Sequence, residues 1–340
     1  MPQTLQINII SEQTIPNILF IKQFEGETNN YIFVSTKKMN REGQLQNIID
    51  VCQIQQGKYR VITVNEESLA DVETQLETLH LSRDDRYTVN ITGGTKIMSL
   101  GVYKHFVSFS TVEIYYIPVF SQKVMQIFPE KREIILSTEL NLFDYLSAYG
   151  VAILSEEKTE SWKSKFNECS LLMSEIKGSN TPPERIVNAA QPYYSGLDKR
   201  FLTGLWLEIW LALTIQNQFK IPDTHISFNV KLTRARIEDG ESTEYDVVYV
   251  IKNRLYIGEC KYFPAGFNKQ KINKDWYKLA GLQLQMGLHA TPFLVTANAI
   301  PRTLQNYLQI SHKIFRIKGF AGIEILADKN RTSEFLNKLL

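Results

Sequence analysis

The runs Glu244-Tyr245-Asp246-Val247-Val248-Tyr249-Val250-Ile251 and Leu255-Tyr256-Ile257-Gly258-Glu259-Cys260-Lys261-Tyr262 flank a polar Lys252-Asn253-Arg254. Two β-rich runs around a polar turn signal a hairpin. With Lys252-Asn253 as a two-residue turn, Asp246 falls directly opposite Glu259. Alternation along the strand puts Lys261 on the same face as Glu259. Directly opposed carboxylates have Cβ atoms about 5 Å apart and repel. A divalent cation held by oxygen ligands would relieve that repulsion. The same residues also read as mixed charge on a solvated strand face. The Val, Tyr, Ile and Leu flanking them on both faces argue for burial.

The chain has 340 residues, enough for two domains, and its 44% hydrophobic and 22% charged content is that of a soluble globular protein. No apolar run is long enough to span a membrane. The start, Met1 to Gln6, lacks the basic and apolar regions of a signal peptide, which predicts a cytoplasmic location. Cys52, Cys169 and Cys260 are odd in number and widely spaced, which fits a reducing compartment and argues against a disulfide framework or zinc. The net charge of +2 hides an asymmetry: residues 1–150 carry 13 Lys/Arg against 17 Asp/Glu, whereas residues 151–340 carry 25 against 19. The basic half, which attracts phosphate backbones, is the half with the hairpin.

The first half alternates strand and helix signals. Strands are expected at Leu5–Ile10, Tyr31–Ser35, Tyr59–Val64, Tyr87–Ile91, Val112–Pro118, Lys123–Phe128 and Glu133–Ser137. Helices are expected over Thr14–Gln23, Glu42–Gln55, Glu67–Leu79 and Lys96–Phe109. Such alternation predicts an open, mostly parallel sheet with helices on both faces, binding ligands beyond the carboxyl ends of its strands. Phe143–Leu154 and Ser161–Lys177 read as helices leading away from this domain. The expected layout is residues 1–150, a helical linker over 151–200, and a second domain over 201–340. Phe201–Gln218 reads as a largely buried helix carrying Glu208. A carboxylate there is costly unless paired in a buried salt bridge or bound to a metal, or else it marks a polar edge of the stripe. After the hairpin come a basic loop (Lys269, Lys271, Lys274), a helix near Trp276–Met286, a strand at Phe293–Thr296 and a helix near Arg302–Ile310. Trp276 and Tyr277, beside basic residues, could stack on unpaired bases or belong to the core.

In the first half, Asn90-Ile91-Thr92-Gly93-Gly94-Thr95-Lys96-Ile97-Met98 joins a strand to a helix through paired glycines. Glycines let a ligand approach the backbone, and a helix start offers N–H groups to an anion. Lys96 in the first helical turn opposes the helix dipole unless an anion sits there. A plain turn with Thr95 as N-cap and Lys96 in solvent is the other reading. Neither G-x-G-x-x-G nor G-x-x-x-x-G-K-[ST] occurs, so dinucleotide redox chemistry and a P-loop ATPase are not indicated.

A helix with Glu208, a strand with Asp246, a strand with Glu259-x-Lys261 and a following αβ unit resemble the PD-(D/E)xK core of restriction-endonuclease-like α/β/α nucleases. Tyr245 stands where that motif has proline. Over nearly its whole length the chain resembles the CRISPR-associated Rossmann fold (CARF) nucleases. The likeness rests on Ser11-Glu12-Gln13-Thr14-Ile15-Pro16-Asn17 after strand one, Thr92-Gly93-Gly94-Thr95-Lys96, Gly204-x-Trp206-Leu207-Glu208, Asp246 with Glu259-Cys260-Lys261, and Tyr277-Lys278-Leu279. The resemblance implies an α/β protein, a Rossmann-like CARF sensor followed by a nuclease domain, acting in type III CRISPR antiviral defence. It implies a homodimer whose CARF domains bind a cyclic oligoadenylate, most often cyclic tetra-adenylate, and thereby release cleavage of DNA, RNA or both. Ser11, Gln13, Thr14, Gly93, Gly94, Thr95, Lys96 and Met98 carry over as ligand contacts. Asp246, Glu259 and Lys261 carry over as catalytic residues. Glu208, Asp246, Glu259 and the Cys260 carbonyl would bind Mg²⁺ or Mn²⁺, and Lys278 would contact nucleic acid. The other readings are a sensor or messenger sink with an inactive nuclease core, a ring nuclease, and a standalone restriction-type nuclease.

Overall fold

The structure, a computed structural model, describes residues 2–119, 121–179, 200–234, 242–262, 269–285, 290–303, 306–307, 310 and 317–340. The chain divides into two compact units, Met1–Leu140 with Asp144–Gly150, and Asn141–Phe143 with Val151–Leu340.

The first unit is built from β1 (Thr4–Ile9), α1 (Ile15–Phe24), β2 (Asn30–Ser35), α2 (Lys37–Arg41), α3 (Gln44–Val51), β3 (Tyr59–Thr63), α4 (Leu69–Glu77), β4 (Arg86–Asn90), α5 (Lys96–Phe106), β5 (Val112–Tyr116), β6 (Lys123–Phe128), β7 (Arg132–Ile135) and α6 (Leu142–Ala148). Its sheet has the order β3-β2-β1-β4-β5-β6-β7. The first five of these are parallel and β6 and β7 are antiparallel. The strand order reverses between β1 and β4, which makes the carboxyl ends of those two strands the switch point where such sheets bind ligands. Ile7, Ile9, Ile32, Val34 and Val89 from the strands pack with Val72, Leu76, Met98, Val102 and Phe106 from α4 and α5. Each fully buried side chain of this size stabilises the fold by about 1.5–3 kcal/mol. Polar side chains set the helix starts: Ser68 Oγ accepts from Asp71 N, and Thr95 Oγ1 from Met98 N. The helix expected over Glu42–Gln55 is shorter, Gln44–Val51, and Gly43 (φ 83°) separates it from the short α2 that precedes it.

The second unit contains β8 (Val151–Glu157), α7 (Phe166–Ser179), α8 (Trp206–Phe219), β9 (Ile226–Arg234), β10 (Thr243–Ile251), β11 (Arg254–Lys261), α9 (Lys269–Gln285), β12 (Thr291–Thr296), β13 (Gly319–Ala321), α10 (Ile323–Leu326) and α11 (Lys329–Leu339). The sheet order is β13-β12-β11-β10-β9-β8. Strands β8 to β11 pair antiparallel, and β11, β12 and β13 run parallel. The hairpin register is the one expected, with Val247 opposite Gly258 and Ile251 opposite Arg254. Lys252 (φ 50°) and Asn253 (φ 57°) both take left-handed backbone, the type I′ geometry that matches strand twist.

Three expectations are corrected here. The helix read over Phe143–Leu154 ends at Ala148, because Gly150 (φ +68°) turns the chain into β8. Residues 151–179 are not a linker: β8 pairs with β9, and Cys169, Leu172, Met173 and Ile176 of α7 pack against α8. The rest of the expected linker, 180–199, lies outside the described residues. Lys269, Lys271 and Lys274 belong to α9 rather than a loop. Met286 and much of the helix expected near Arg302–Ile310 also lie outside the described residues. No helix among the described residues is long and apolar enough to cross a membrane.

The hairpin turn yields a direct check. Lys252→Ile should cost roughly 1 kcal/mol, since a β-branched side chain is poorly tolerated at positive φ, whereas Lys252→Gly should cost less. Urea midpoints of the two variants, compared with the unaltered protein, measure the difference.

Candidate functional site

In the second unit the hairpin and two helices bring charged groups together at one end of the sheet. Lys261 Nζ lies 2.5 Å from Glu259 Oε1 and 3.8 Å from Asp246 Oδ2. Asp246 Oδ2 also accepts the Cys260 backbone N–H at 2.6 Å. Asp246, Glu259 and Lys261 therefore converge as the register argument requires. Glu259 is 1% exposed, an environment that a carboxylate tolerates only when paired. The pairing is double, because Lys278 Nζ from α9 lies 3.1 and 3.2 Å from its two oxygens.

Glu208 enters from the first turn of α8, where Trp206, Leu207, Ile209 and Trp210 around it are buried. A π turn at Phe201–Leu205 precedes that helix. Burial first, then the Asp246 and Glu244 carboxylates, push the Glu208 carboxyl well above its ordinary range. Burial and the Glu259 charge push Asp246 the same way, partly offset by Lys261 and the Cys260 N–H. Lys261 is raised by Asp246 and Glu259 against the opposing effect of burial, so its ammonium stays charged. Burial holds the Cys260 thiol neutral, and its side chain packs against the core, so only its backbone is offered to the site.

Sequence reading missed Asp275. It lies on α9 one turn before Lys278, feels the Lys261, Glu259 and Lys278 charges, and is raised chiefly by burial. The Asp275-x-x-Lys278 spacing, which puts both on one helix face, was the available signal. Trp276 is buried whereas Tyr277 is 65% exposed, so only Trp276 is core.

Among the described residues no three His, Cys, Asp or Glu side chains form a ready metal cluster. The chemistry of the donor set nevertheless fits a hard divalent cation. Oxygen donors are crowded until Glu208 and Asp246 disfavour their own ionisation, and a cation would relieve this. Glu259 would have to exchange a lysine contact for the ion.

In the first unit, two loops meet at the switch point. A Cβ on Gly93 would sit 2.1 Å from the Ile9 carbonyl oxygen and 3.3 Å from Ser11 Oγ. A Cβ on Gly94 (φ +74°) would sit 2.4 Å from Ile9 Cγ2 and 3.2 Å from Met98 Sδ. Only glycine fits there. The surrounding asparagines, which sequence reading passed over, tie the loops together. Asn17 Nδ2 donates to Ile9 O, and Asn90 Nδ2 donates to Asn8 Oδ1 and Asn17 Oδ1. Asn90 Oδ1 in turn accepts from Thr92 N and Oγ1. Ser11, Gln13, Gly94, Thr95 and Lys96 retain exposure at this end. Ser11 Oγ donates to Gln13 O, Gln13 Oε1 accepts from Tyr149 OH, and Thr95 Oγ1 donates to Glu66 O. Of the other two expected contacts, Met98 has its side chain wholly in the core, and Thr14 is wholly buried with Oγ1 donating to Ala148 O. Both support the loops from beneath.

Fold and sites define a class in which a Rossmann-like ligand-binding unit precedes a restriction-endonuclease-like unit. Residues 5–145 match the family model of the Card1 CARF domain, and residues 196–322 match that of the Card1-like endonuclease domain. The chain belongs to the family that joins these two domains. Among solved structures it is similar to protein VC1899 from Vibrio cholerae (TM-score 0.75, 18% identity, 99% of this chain and 98% of that one). It is also similar to Can2 from Sulfobacillus thermosulfidooxidans, solved in complex with cyclic tetra-adenylate (TM-score 0.73, 17% identity, 98% and 99%). A type III CRISPR defence DNA nuclease activated by cyclic oligoadenylate aligns over 88% of this chain and 46% of its own length (TM-score 0.61, 16% identity). Comparison with curated proteins finds no match.

Two outcomes follow from this geometry. Gly93→Ala should weaken ligand binding at the switch point by about tenfold or lower stability by about 1–3 kcal/mol, because the clash is with backbone; calorimetry and urea unfolding separate the two. Glu208 and Asp246 bind protons in the folded state that the unfolded chain releases above about pH 4. Their contribution to stability is therefore present at low pH and is lost as pH rises from there through their raised values near neutrality. In EDTA, the decline of the urea midpoint across that window should be shallower in Glu208→Gln than in the unaltered protein.

Proposed function

We propose that this chain is a metal-dependent nuclease of type III CRISPR defence, working as a cytoplasmic homodimer and switched on by a cyclic oligoadenylate. The observation that carries the reading is the convergence of Asp246, Glu259 and Lys261 at the end of two neighbouring strands, with Glu208 beside them. Asp246, Glu259 and the Cys260 carbonyl would hold Mg²⁺ or Mn²⁺, with Glu208 completing the shell. When bound, the cation would polarise the scissile phosphate of DNA or RNA and acidify a water. Lys261, kept charged by its two carboxylates, would orient that water and offset negative charge as the phosphorane forms.

The two loops at the β1/β4 switch point are the site for the messenger. Ser11, Gln13, Gly93, Gly94, Thr95 and Lys96 supply hydroxyl, amide, backbone N–H and ammonium groups, which suits a phosphate-linked ring of adenosines. Cyclic tetra-adenylate has the repeat symmetry that an isologous two-fold interface matches. Activation requires that the ring bind one arrangement of the dimer more tightly than the other. A sensor, messenger sink or ring nuclease with a dead nuclease core is disfavoured by the intact and convergent Asp246, Glu259 and Lys261.

The test is a cleavage assay on single- and double-stranded DNA and on RNA, with each cyclic oligoadenylate and without. Cleavage should need the messenger, stop in EDTA and return with Mn²⁺ or Mg²⁺. Glu259→Ala and Lys261→Ala should each reduce it by about 100-fold or more with messenger affinity retained. Lys96→Ala should weaken messenger binding by roughly tenfold. Cleavage that survives both nuclease-site changes, or runs equally well in EDTA, would defeat the reading.

A further inference from the structure

Glu259 is the most deeply buried carboxylate of the nuclease site, with 1% of its side chain exposed. An anion in such a place must be neutralised. Lys261 meets one of its oxygens, at 2.5 Å. Lys278 meets both, at 3.1 Å from Oε1 and 3.2 Å from Oε2. An ammonium astride the two oxygens takes the place that a metal ion takes when a carboxylate grips it. The position is set by α9, whose Ile272, Trp276 and Leu279 are buried along one stripe. That stripe seats the helix against the sheet and brings Lys278, next to the anchored Leu279, over Glu259.

We propose that Lys278 is a built-in competitor for the divalent cation: it clasps Glu259 and must let go of at least one oxygen before the ion can bind there. This rests on the nuclease reading above and adds an ordering step to it. The lysine has somewhere to go. Its Nζ sits on a flexible four-carbon stem, its side chain is 34% exposed, and Asp275 lies within its electrostatic reach one turn earlier on the same helix. A polyanionic substrate would favour the same release, because a phosphodiester offers the freed ammonium a new partner. Lys278 would thus couple arrival of nucleic acid to loading of the ion. It acts through Glu259, so its role is positioning.

The experiment is a titration of the full chain with Mn²⁺, followed by calorimetry and by the electron paramagnetic resonance of free Mn²⁺, without nucleic acid. Lys278→Met should bind Mn²⁺ roughly tenfold more tightly than the unaltered protein, within the usual range of coupling between competing ligands. In EDTA its Tm should fall by a few degrees, since Glu259 loses a partner, and Mn²⁺ should restore it. Lys278→Arg, which keeps the charge, should stay within about threefold of the original affinity. Lys278→Gln, which can still donate a hydrogen bond to Glu259, serves if the Met variant does not fold and should also bind Mn²⁺ more tightly. Mn²⁺ affinity that is unchanged or weaker in Lys278→Met, yet lost in Glu259→Gln, would overturn the clasp and leave the metal site standing. No Mn²⁺ binding to the unaltered protein or to either neutral variant would remove the metal site, and the clasp with it.

Discussion

A carboxylate that is almost wholly withdrawn from water, held by ammonium groups from its own strand and from a packed helix, sets the terms for the second unit. Glu259 could not be buried alone. Lys261 follows it by one pleat on β11, and Lys278 is delivered by the Ile272, Trp276 and Leu279 stripe of α9. The charges of Asp246, Glu208 and Asp275 gather around this pair, and burial makes their repulsion costly. The result is a site with more negative charge than its lysines comfortably balance, which is the condition under which a divalent cation is welcome.

The first unit meets a different constraint. Its two loops cross so closely at the β1/β4 switch point that Gly93 rests on the Ile9 carbonyl, and no side chain fits between them. Asn17 and Asn90 close the space beneath with hydrogen bonds to both loops. Thr14 and Met98 complete that floor from the buried side. Rigid backbone below and polar groups above make a preorganised cradle, in which binding need not spend free energy on ordering the loops. The messenger-dependent switch proposed above would draw on that rigidity, because a soft cradle could not bias one arrangement over another.

Much of this was legible in the residue order. The Lys252-Asn253 turn placed Asp246 against Glu259, and strand alternation added Lys261. These rules are local, and the structure obeys them. The paired glycines with Thr95 at a helix start marked the loop correctly for the same reason. Strands β8 and β9 were harder to see. Val151-Ala152-Ile153-Leu154 follows a helical run without a strong break apart from Gly150, and only pairing with Ile226–Arg234 makes it a strand. The burial of the Met98 and Thr14 side chains was not legible, because a place beside a loop does not say which way a side chain points.

What the sequence determined by itself is whatever rests on spacing along one element or across one tight turn: the hairpin register, the strand–helix alternation and the capping of α5. What only the tertiary structure decided is whatever joins distant segments. Lys278 lies 19 residues from Glu259 in the chain, yet shares both of its oxygens. Glu208 acquires its reluctance to ionise first from burial in the packed unit and then from Asp246 and Glu244, carried by a strand beyond β9 in the chain. Burial and charge–charge energies depend on distance in space, which is set by how helices and sheet pack, and no periodicity in the order of residues encodes that distance.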